Sequence, residues 1–243
     1  VLVLVSLMRS RDELAFSWRK LRIHRRSLSL MSKVGIPAGI QGCLFSLANL
    51  AIQGAINAYG SVVVAGSSAA SSIDGFIYVS MNTFHQTAQT FLSQNIGAGK
   101  YDRVKDILKK CLLCTVVTGA ILSTVACVFS QPLLGIYNQD PAVVAAGAVR
   151  LYIVVAPYII FGLADVLTGA IRGCGSPVRP VVINLLCTCV FRLLWIAAIN
   201  TDTMPVTWVY ASYPASWLVL LIALAVCWLR LYRRKIRPHL MPD

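Results

Sequence analysis

The sequence has few charged residues and very few acidic ones. Charged residues make up 13% of its 243 positions, and only nine residues are Asp or Glu. A soluble globular domain carries about a quarter charged residues, so this composition excludes an ordinary water-soluble domain. Histidine occurs three times, and no HExxH, Ser-His-Asp or paired-carboxylate arrangement is present. We therefore predict that the protein is not an enzyme.

Apolar residues account for 57% of the chain, and the mean hydropathy is +0.71. They form runs of about 18 residues or more, the length that a helix needs to cross a bilayer. Turn residues bound six candidate spans, at 36–57, 67–94, 108–130, 151–171, 178–199 and 206–229. We predict an all-α integral membrane protein with a bundle of six transmembrane helices.

Proline positions add detail to the fourth and sixth spans. Asp140 followed by Pro141 has the pattern of an N-cap and first helical residue, so a helix should begin before the fourth span proper. Pro157 and Pro214 lie inside the fourth and sixth spans. Each lacks a backbone N–H, so a kink is expected at both positions.

The distribution of Lys and Arg predicts the topology. These residues cluster in 9–33, just after the second span, around 172–179 and in 230–237, and they are absent from 58–66, 131–141 and 200–205. Cytoplasmic loops retain positive charge, so both ends should be cytoplasmic. The net charge of +13 then reflects membrane topology, and no nucleic-acid partner is expected.

Charge and hydropathy together divide the chain into four segments. Residues 1–8 are apolar but too short to span, and we interpret them as the end of a truncated preceding helix. Residues 9–33 form a basic cytoplasmic linker, either an amphipathic helix on an anionic membrane face or a solvated loop. Residues 34–232 form the six-helix lobe, and 233–243 a basic cytoplasmic tail.

Two features resemble functional motifs but fail on spacing. Cys111 and Cys114 form a CxxC without a second pair at metal-ligand spacing, so the eight cysteines are interpreted as helix-packing residues. The stretch QNIGAGK, residues 94–100, completes neither a P-loop nor GxGxxG, and it predicts a helix stop followed by a tight turn.

Polar residues inside the spans are the candidate functional groups, because a polar group buried in hydrocarbon is costly. They recur at helical spacing, so each span presents one polar face. The substrate-cavity candidates are Asn49, Gln53, Asn57, Tyr78, Asn82, His85, Gln86, Tyr158, Asn184 and Arg192. The candidates for cation or proton coupling are Asp165 and Asp74. We expect these faces to turn inward around one shared, water-filled cavity.

A structural role is the alternative for each candidate. Asn, Gln and Thr frequently form hydrogen bonds between membrane helices. Arg192 could neutralise one of the acids or extend outward to the membrane surface, and the outward position is favoured.

Three segments of the sequence resemble one transporter family. Residues 46–66, 71–105 and 162–180 resemble the seventh, eighth and tenth helices of bacterial multidrug-and-toxin-extrusion (MATE) transporters, in that order. QNIGAGK and IRGCGSP (171–177), at their correct spacing, make the resemblance specific. The chain is thus similar to the C-terminal six-helix lobe of such a transporter.

The resemblance implies an antiporter of twelve helices in two lobes. An inward Na⁺ or H⁺ gradient would drive export of cationic, amphipathic, drug-like compounds across the bacterial inner membrane. The partners would be these small molecules, the bilayer and an N-terminal lobe missing from this chain, with no cofactor besides the transported ion. Family members that bind a cation in this lobe use acids on the seventh and tenth helices. This chain instead has Gln53 and Asn57 on its first span, with Asp165 about one turn nearer the cytoplasm.

Two alternative functions remain open. A flippase for lipid-linked saccharides would have the same fold, but its cavity would carry more cationic residues than Arg192 alone. A non-transporting scaffold or inactive remnant is the other alternative.

Overall fold

The computed structural model describes residues 24–199 and 203–239, and within those ranges the chain is helical with no β-strand. Its helices are α1 Arg25–Asn57, α2 Ser61–Gly97, α3 Val104–Val128, α4 Ser130–Gly135, α5 Pro141–Val154, α6 Tyr158–Gly173, α7 Val178–Asn184, α8 Phe191–Ala198 and α9 Thr207–Leu231. A 3₁₀ turn, Tyr101–Arg103, precedes α3, and a π-helical turn, Leu185–Val190, joins α7 to α8.

The helices confirm the predicted membrane spans. Among the described residues, five helical segments are long and apolar enough to cross a membrane, and the bent pair α5–α6 brings the number to six if it is one span. Helix α1 begins at Arg25, so the described end of the predicted 9–33 linker is helical. The predicted segment 1–8, residues 9–23 of the linker and residues 240–243 of the tail lie outside the described residues. Within the described ranges, residues up to Pro37 and residues from Ala38 onward form two compact units, and the packing below concerns the second.

The fourth span is broken where proline predicts a kink. Helices α5 and α6 meet at 49° across residues 155–157, because Pro157 cannot donate the next helical hydrogen bond. The predicted start of α5 is also confirmed, since the Asp140 carboxylate accepts a 2.9 Å hydrogen bond from the Ala142 backbone N–H. By contrast, α9 is a single helix that continues through Pro214.

The stretches QNIGAGK and IRGCGSP end their helices in the same way. Gly99 and Gly175 have φ of +71° and +73°, which only glycine adopts readily. In each case the next residue reaches back to a carbonyl of the last turn: Lys100 N–H to Asn95 O at 2.8 Å, and Ser176 N–H to Ile171 O at 3.3 Å. This is the Schellman arrangement of a helix C-terminus, and it confirms the helix stop predicted for QNIGAGK.

Helix α2 contacts α3, α5 and α6, and small residues allow two of these contacts to be close. A Cβ atom on Gly66 would lie 2.6 Å from the Val143 carbonyl oxygen of α5. A Cβ atom on Gly169 of α6 would overlap the carbonyl oxygen of His85. Glycine at both crossings lets the backbones approach, as small residues do in membrane bundles. Side chains of α2 are therefore held directly against α5 and α6.

The apolar core has two clusters, stacked along the helix axes. One contains Ile73 and Met81 of α2 together with Trp217 of α9. The other contains Ala88 of α2 and Leu224 of α9. The stretch of α2 between Met81 and Ala88 therefore crosses from one apolar cluster to the other.

The cysteines have no metal-binding or disulfide arrangement. All eight are free thiols, and Cys111 is buried while Cys114 is exposed. Among the described residues, no three His, Cys, Asp or Glu side chains come together as a potential metal site. Cys111, Cys174 and Cys189 are buried, as packing residues would be, whereas Cys43 and Cys114 are exposed and the other three are partly buried.

Candidate functional site: a polar, aromatic cavity

A cavity of about 390 Å³ lies among α1, α2, α5, α6, α8 and α9. Six of the predicted substrate or coupling residues line it: Asn49, Gln53, Asp74, Tyr78, Tyr158 and Arg192. They come from four different spans, so polar faces that are distant in sequence meet here. The volume lies within the range of about 300–1,000 Å³ that is usual for small-molecule sites.

Asp74 is the only acidic residue in the described lining of the cavity. Its electrostatic partners are Arg150, Tyr158 and Arg192. The carboxylate oxygen Oδ1 is buried without a hydrogen-bond partner among the described residues. A carboxylate placed in this way has capacity left for a proton or for a ligand donor.

Arg150 is a cavity residue that the sequence did not identify. It is only 6% exposed, and its Nη1 donates to the carbonyl oxygen of Ser67 and to the hydroxyls of Ser67 and Ser71. It lies nine residues after the charge-free loop 131–141, a position from which hydropathy does not predict that it faces the cavity. Helix α5 packs against α2, and Arg150 faces inward from it to Ser67 and the cavity.

Arg192 also points inward, so the favoured expectation that it extends to the membrane surface is wrong. The side chain is 2% exposed, and its Nε donates a 2.9 Å hydrogen bond to the Ser216 hydroxyl. Its guanidinium carbon lies 4.2 Å from the ring centre of Tyr213 and 5.9 Å from that of Trp217. These contacts hold the positive charge beside the cavity through cation–π attraction.

Aromatic rings form the apolar wall of the cavity. The ring centres of Tyr158 and Phe161 are 5.2 Å apart, and those of Phe161 and Trp217 are 5.4 Å apart. The ring centre of Tyr78 lies 6.0 Å from that of Phe161, and Tyr78 is 45% exposed. The sequence analysis missed Phe161, Tyr213 and Trp217. The i, i+3 spacing of Tyr158 and Phe161, and the i, i+4 spacing of Tyr213 and Trp217, were the available signals.

A second polar cluster lies farther along α2. His85 is 4% exposed, and its Nδ1 is 2.8 Å from Oδ1 of Asp165 on α6. The Asn82 amide donates to Oδ2 of Asp165 at 3.4 Å. His85 follows Asp74 by 11 residues, which is roughly 16 Å along a helix. This cluster occupies the boundary between the two apolar clusters of the core.

The expectation of one shared cavity is therefore corrected. Asn82, His85 and Asp165 form the second cluster and do not line the cavity. Their spacing places them on one face of α2 or α6. Residues on one face of a long helix can nevertheless contact different neighbouring helices, so a shared face does not ensure a shared cavity.

The other candidates outside the cavity have local or structural positions. Asn57 accepts a 3.1 Å hydrogen bond from Gln53, and Gln86 is exposed away from the lining. Asn184 donates to the Thr168 hydroxyl at 3.3 Å and thereby links α7 to α6. For Asn184 the structure supports the alternative of a hydrogen bond between helices.

Comparisons with known proteins agree with this architecture. The family model described as MatE matches residues 37–196, which is more than half of the chain. A probable multidrug resistance protein of Bacillus subtilis, YoeA, is 24% identical over 205 residues, covering 84% of this chain and 44% of that protein. A protein of Shewanella oneidensis named as an FAD transporter is 26% identical over 179 residues, covering 73% and 39%.

Solved structures share the fold at low sequence identity. The Vibrio cholerae MATE transporter VcmN in its bent form has a TM-score of 0.77 at 17% identity, covering 90% of this chain and 50% of that one. A MOP superfamily transporter of Pyrococcus furiosus, whose structure is described as having a binding pocket of reverse polarity, has a TM-score of 0.76 at 16% identity, covering 88% and 48%.

The present chain thus spans about half the length, or less, of the relatives that it matches. Its helices, its cavity and the family match lead to one conclusion: the chain belongs to the MatE family of multidrug-and-toxin-extrusion membrane transporters.

Proposed function

We propose that this chain is the C-terminal lobe of a secondary transporter that exports amphipathic, ring-containing compounds across the bacterial inner membrane in exchange for a cation. The observation that carries the proposal is the cavity itself. Asp74, Arg150 and Arg192 meet an aromatic wall inside a membrane helix bundle. Ionisable groups at such depth are costly and mark substrate or ion pathways.

The cavity suits a cargo with both apolar and polar parts. Phe161 and Trp217 offer ring faces for stacking, while Asn49 and Gln53 offer amide groups on the opposite helix α1. Only one lobe encloses the cavity here, and the relatives are about twice as long. We propose that a second lobe completes the enclosure, as in other transporters built from structural repeats.

The contacts of Asp165 favour H⁺ over Na⁺ as the coupling ion. Hard cations take several oxygen ligands. The two carboxylate oxygens of Asp165 instead face nitrogen atoms, His85 Nδ1 at 2.8 Å and the Asn82 amide at 3.4 Å. A His–Asp pair can accept and release a proton without a shell of oxygen ligands.

The same proposal sets the orientation in the membrane. Positive residues flank alternate loops, so both ends of this segment would face the cytoplasm. The opening residues of α2, which follow a charge-free loop, would then lie at the periplasmic side. In this orientation the cavity belongs to the outer half of the lobe, and the His85–Asp165 pair lies closer to the cytoplasm.

A flippase for lipid-linked saccharides is the second candidate. The sequence ranked it lower because Arg192 was the only cationic residue expected in the cavity. Arg150 also lines that cavity. Because two arginines are present where the sequence predicted one, a cargo with a phosphate group is favoured more strongly than from the sequence alone.

Efflux in cells tests the proposal. The full open reading frame that contains this chain is expressed in an efflux-deficient bacterium, and retention of Nile red is measured. This dye is amphipathic and uncharged, so the assay does not presuppose the charge of the cargo. We expect lower dye retention than with an empty vector, and collapse of the proton gradient should remove the difference.

The matched variants are Asp165→Asn and Asp106→Asn. Asp106 is an exposed acid near the start of α3, so its replacement should leave efflux unchanged. Asp165→Asn should abolish gradient-dependent efflux at equal membrane abundance. If cells that express the wild-type protein retain as much dye as cells with the empty vector, transport is rejected and the inactive remnant is favoured.

A further inference from the structure

The described lining of the cavity carries more positive than negative charge. Its charged residues are Asp74, Arg150 and Arg192. Arginine stays protonated in proteins, so the two guanidinium groups are always charged. The sum is +1 when Asp74 is ionised and +2 when it is protonated. In neither state does this surface attract a cation on balance.

Within the described part of the chain, neither arginine has a direct carboxylate partner. Among the described residues, the only ion pair within 4.0 Å joins His85 to Asp165. Asp74 acts on both arginines at longer range, and its Oδ1 has no hydrogen-bond partner in the described chain. Buried charges are normally paired, and these two almost fully buried arginines have no ion pair among the described residues, so an anion bound beside them would supply the missing countercharge.

Both arginines are held in place with N–H groups to spare. All hydrogen bonds that Arg150 makes to Ser67 and Ser71 use its Nη1. Arg192 uses its Nε for Ser216 and rests its flat face on Tyr213. A guanidinium group has five N–H donors in a fixed fork, so each arginine retains donors for a bidentate contact with a carboxylate, sulfonate or phosphate.

We infer that the cargo carries an anionic group, which Arg150 and Arg192 bind, next to a ring that packs against Phe161 and Trp217. The inference rests on the proposed function, because it names the class of compound that the same cavity transports. It replaces the cationic cargo that the family resemblance implies. Asp74 then competes with the cargo for the two arginines, since all three groups share one cavity.

Three probes that differ only in charge test the inference. The protein encoded by the complete reading frame is purified and reconstituted into lipid nanodiscs. Binding to it is then measured for pyrenebutyrate, its methyl ester and the corresponding trimethylammonium compound. Pyrenebutyrate should bind at least about tenfold more tightly than the ammonium probe. Charge-assisted hydrogen bonds of the kind described account for a factor of about 10 to 100.

Variants connect the effect to named residues. Arg150→Gln should weaken pyrenebutyrate binding by about 10- to 100-fold and leave the methyl ester within about twofold. Arg179→Gln, which removes an exposed arginine outside this cavity, is the matched control and should change neither. Asp74→Asn should strengthen pyrenebutyrate binding because it removes the competing carboxylate. If Arg150→Gln does not fold, the Asp74→Asn variant still tests whether the cargo is anionic.

Each outcome has a distinct meaning. Tighter binding of the ammonium probe, or weaker binding of pyrenebutyrate to Asp74→Asn, overturns the inference in favour of a cationic cargo. Equal binding of all three probes also overturns it, but leaves the proposed transport of ring compounds standing. Absence of binding by every probe rejects both the inference and the proposed function.

Discussion

Replacement of Gly169 by alanine tests how closely α2 and α6 approach beside the His85–Asp165 pair. A Cβ atom at Gly169 would overlap the carbonyl oxygen of His85 and lie 3.3 Å from its Cγ. The obstacle is backbone, which cannot rotate away as a side chain would. The two helices would therefore have to separate.

The size of the effect follows from two opposing terms. Overpacking costs about 1–3 kcal/mol, and a collision with backbone belongs at the upper end. Alanine regains about 1 kcal/mol over glycine inside a helix. The net loss of about 2 kcal/mol corresponds to a melting temperature about 4–8 °C lower for a domain of this size.

The assay is thermal unfolding of the detergent-purified protein, with Gly54→Ala as the control. A Cβ atom at Gly54 of α1 would meet no atom within 4 Å, so only the helix-propensity gain applies there. We expect Gly54→Ala to melt at or slightly above the wild-type temperature. Equal melting of the two variants would refute the close α2–α6 contact.

Three further predictions concern ionisable groups. Asp165→Asn should remove proton-driven dye efflux at normal membrane abundance, and wild-type efflux would exclude Asp165 from coupling. Asp74→Asn should slow the efflux of an anionic ring compound such as pyrenebutyrate from cells, because a cavity whose arginines have no internal competitor holds such a cargo too tightly; an unchanged rate of pyrenebutyrate efflux would contradict this. Burial raises the pKa of the Cys174 thiol to about 12, outside the spans, so very little of the thiol is ionised at pH 8. Peptide mass spectrometry after maleimide treatment should find Cys174 unlabelled until the protein is unfolded, whereas labelling of the folded protein would show that the thiol is accessible.

The spans, their order and several helix ends could be predicted from the sequence, because these features depend on local chemistry. Asp140 and Pro141 begin α5, Pro157 breaks the fourth span, and Gly99 ends the turn after α2. In each case the deciding residue lies within a few positions of the feature it causes. Pro214 differs, since α9 continues through it.

The composition of the cavity was only partly predictable, because it depends on contacts between helices. Helical spacing places Asp74 and Asn82 on one face of α2. It does not predict that Asp74 interacts electrostatically with Arg150, whereas Asn82 donates a hydrogen bond to Asp165. Arg150 was missed because it lies near a loop in sequence. Its burial depends on the packing of α5 against α2, which hydropathy does not contain.

The most direct test of the cavity as a water-filled transport site is thiol labelling at Gly75→Cys in membrane vesicles. Gly75 lines the cavity, and a Cβ atom added to it would meet no atom within 4 Å, whereas Ile121 is an apolar residue exposed on α3, away from the cavity. A water-soluble, anionic thiosulfonate should modify Gly75→Cys, and pyrenebutyrate should slow that modification, while Ile121→Cys should not react. Equal reactivity of the two cysteines, or no reaction at Gly75→Cys, would contradict a water-filled cavity at this position.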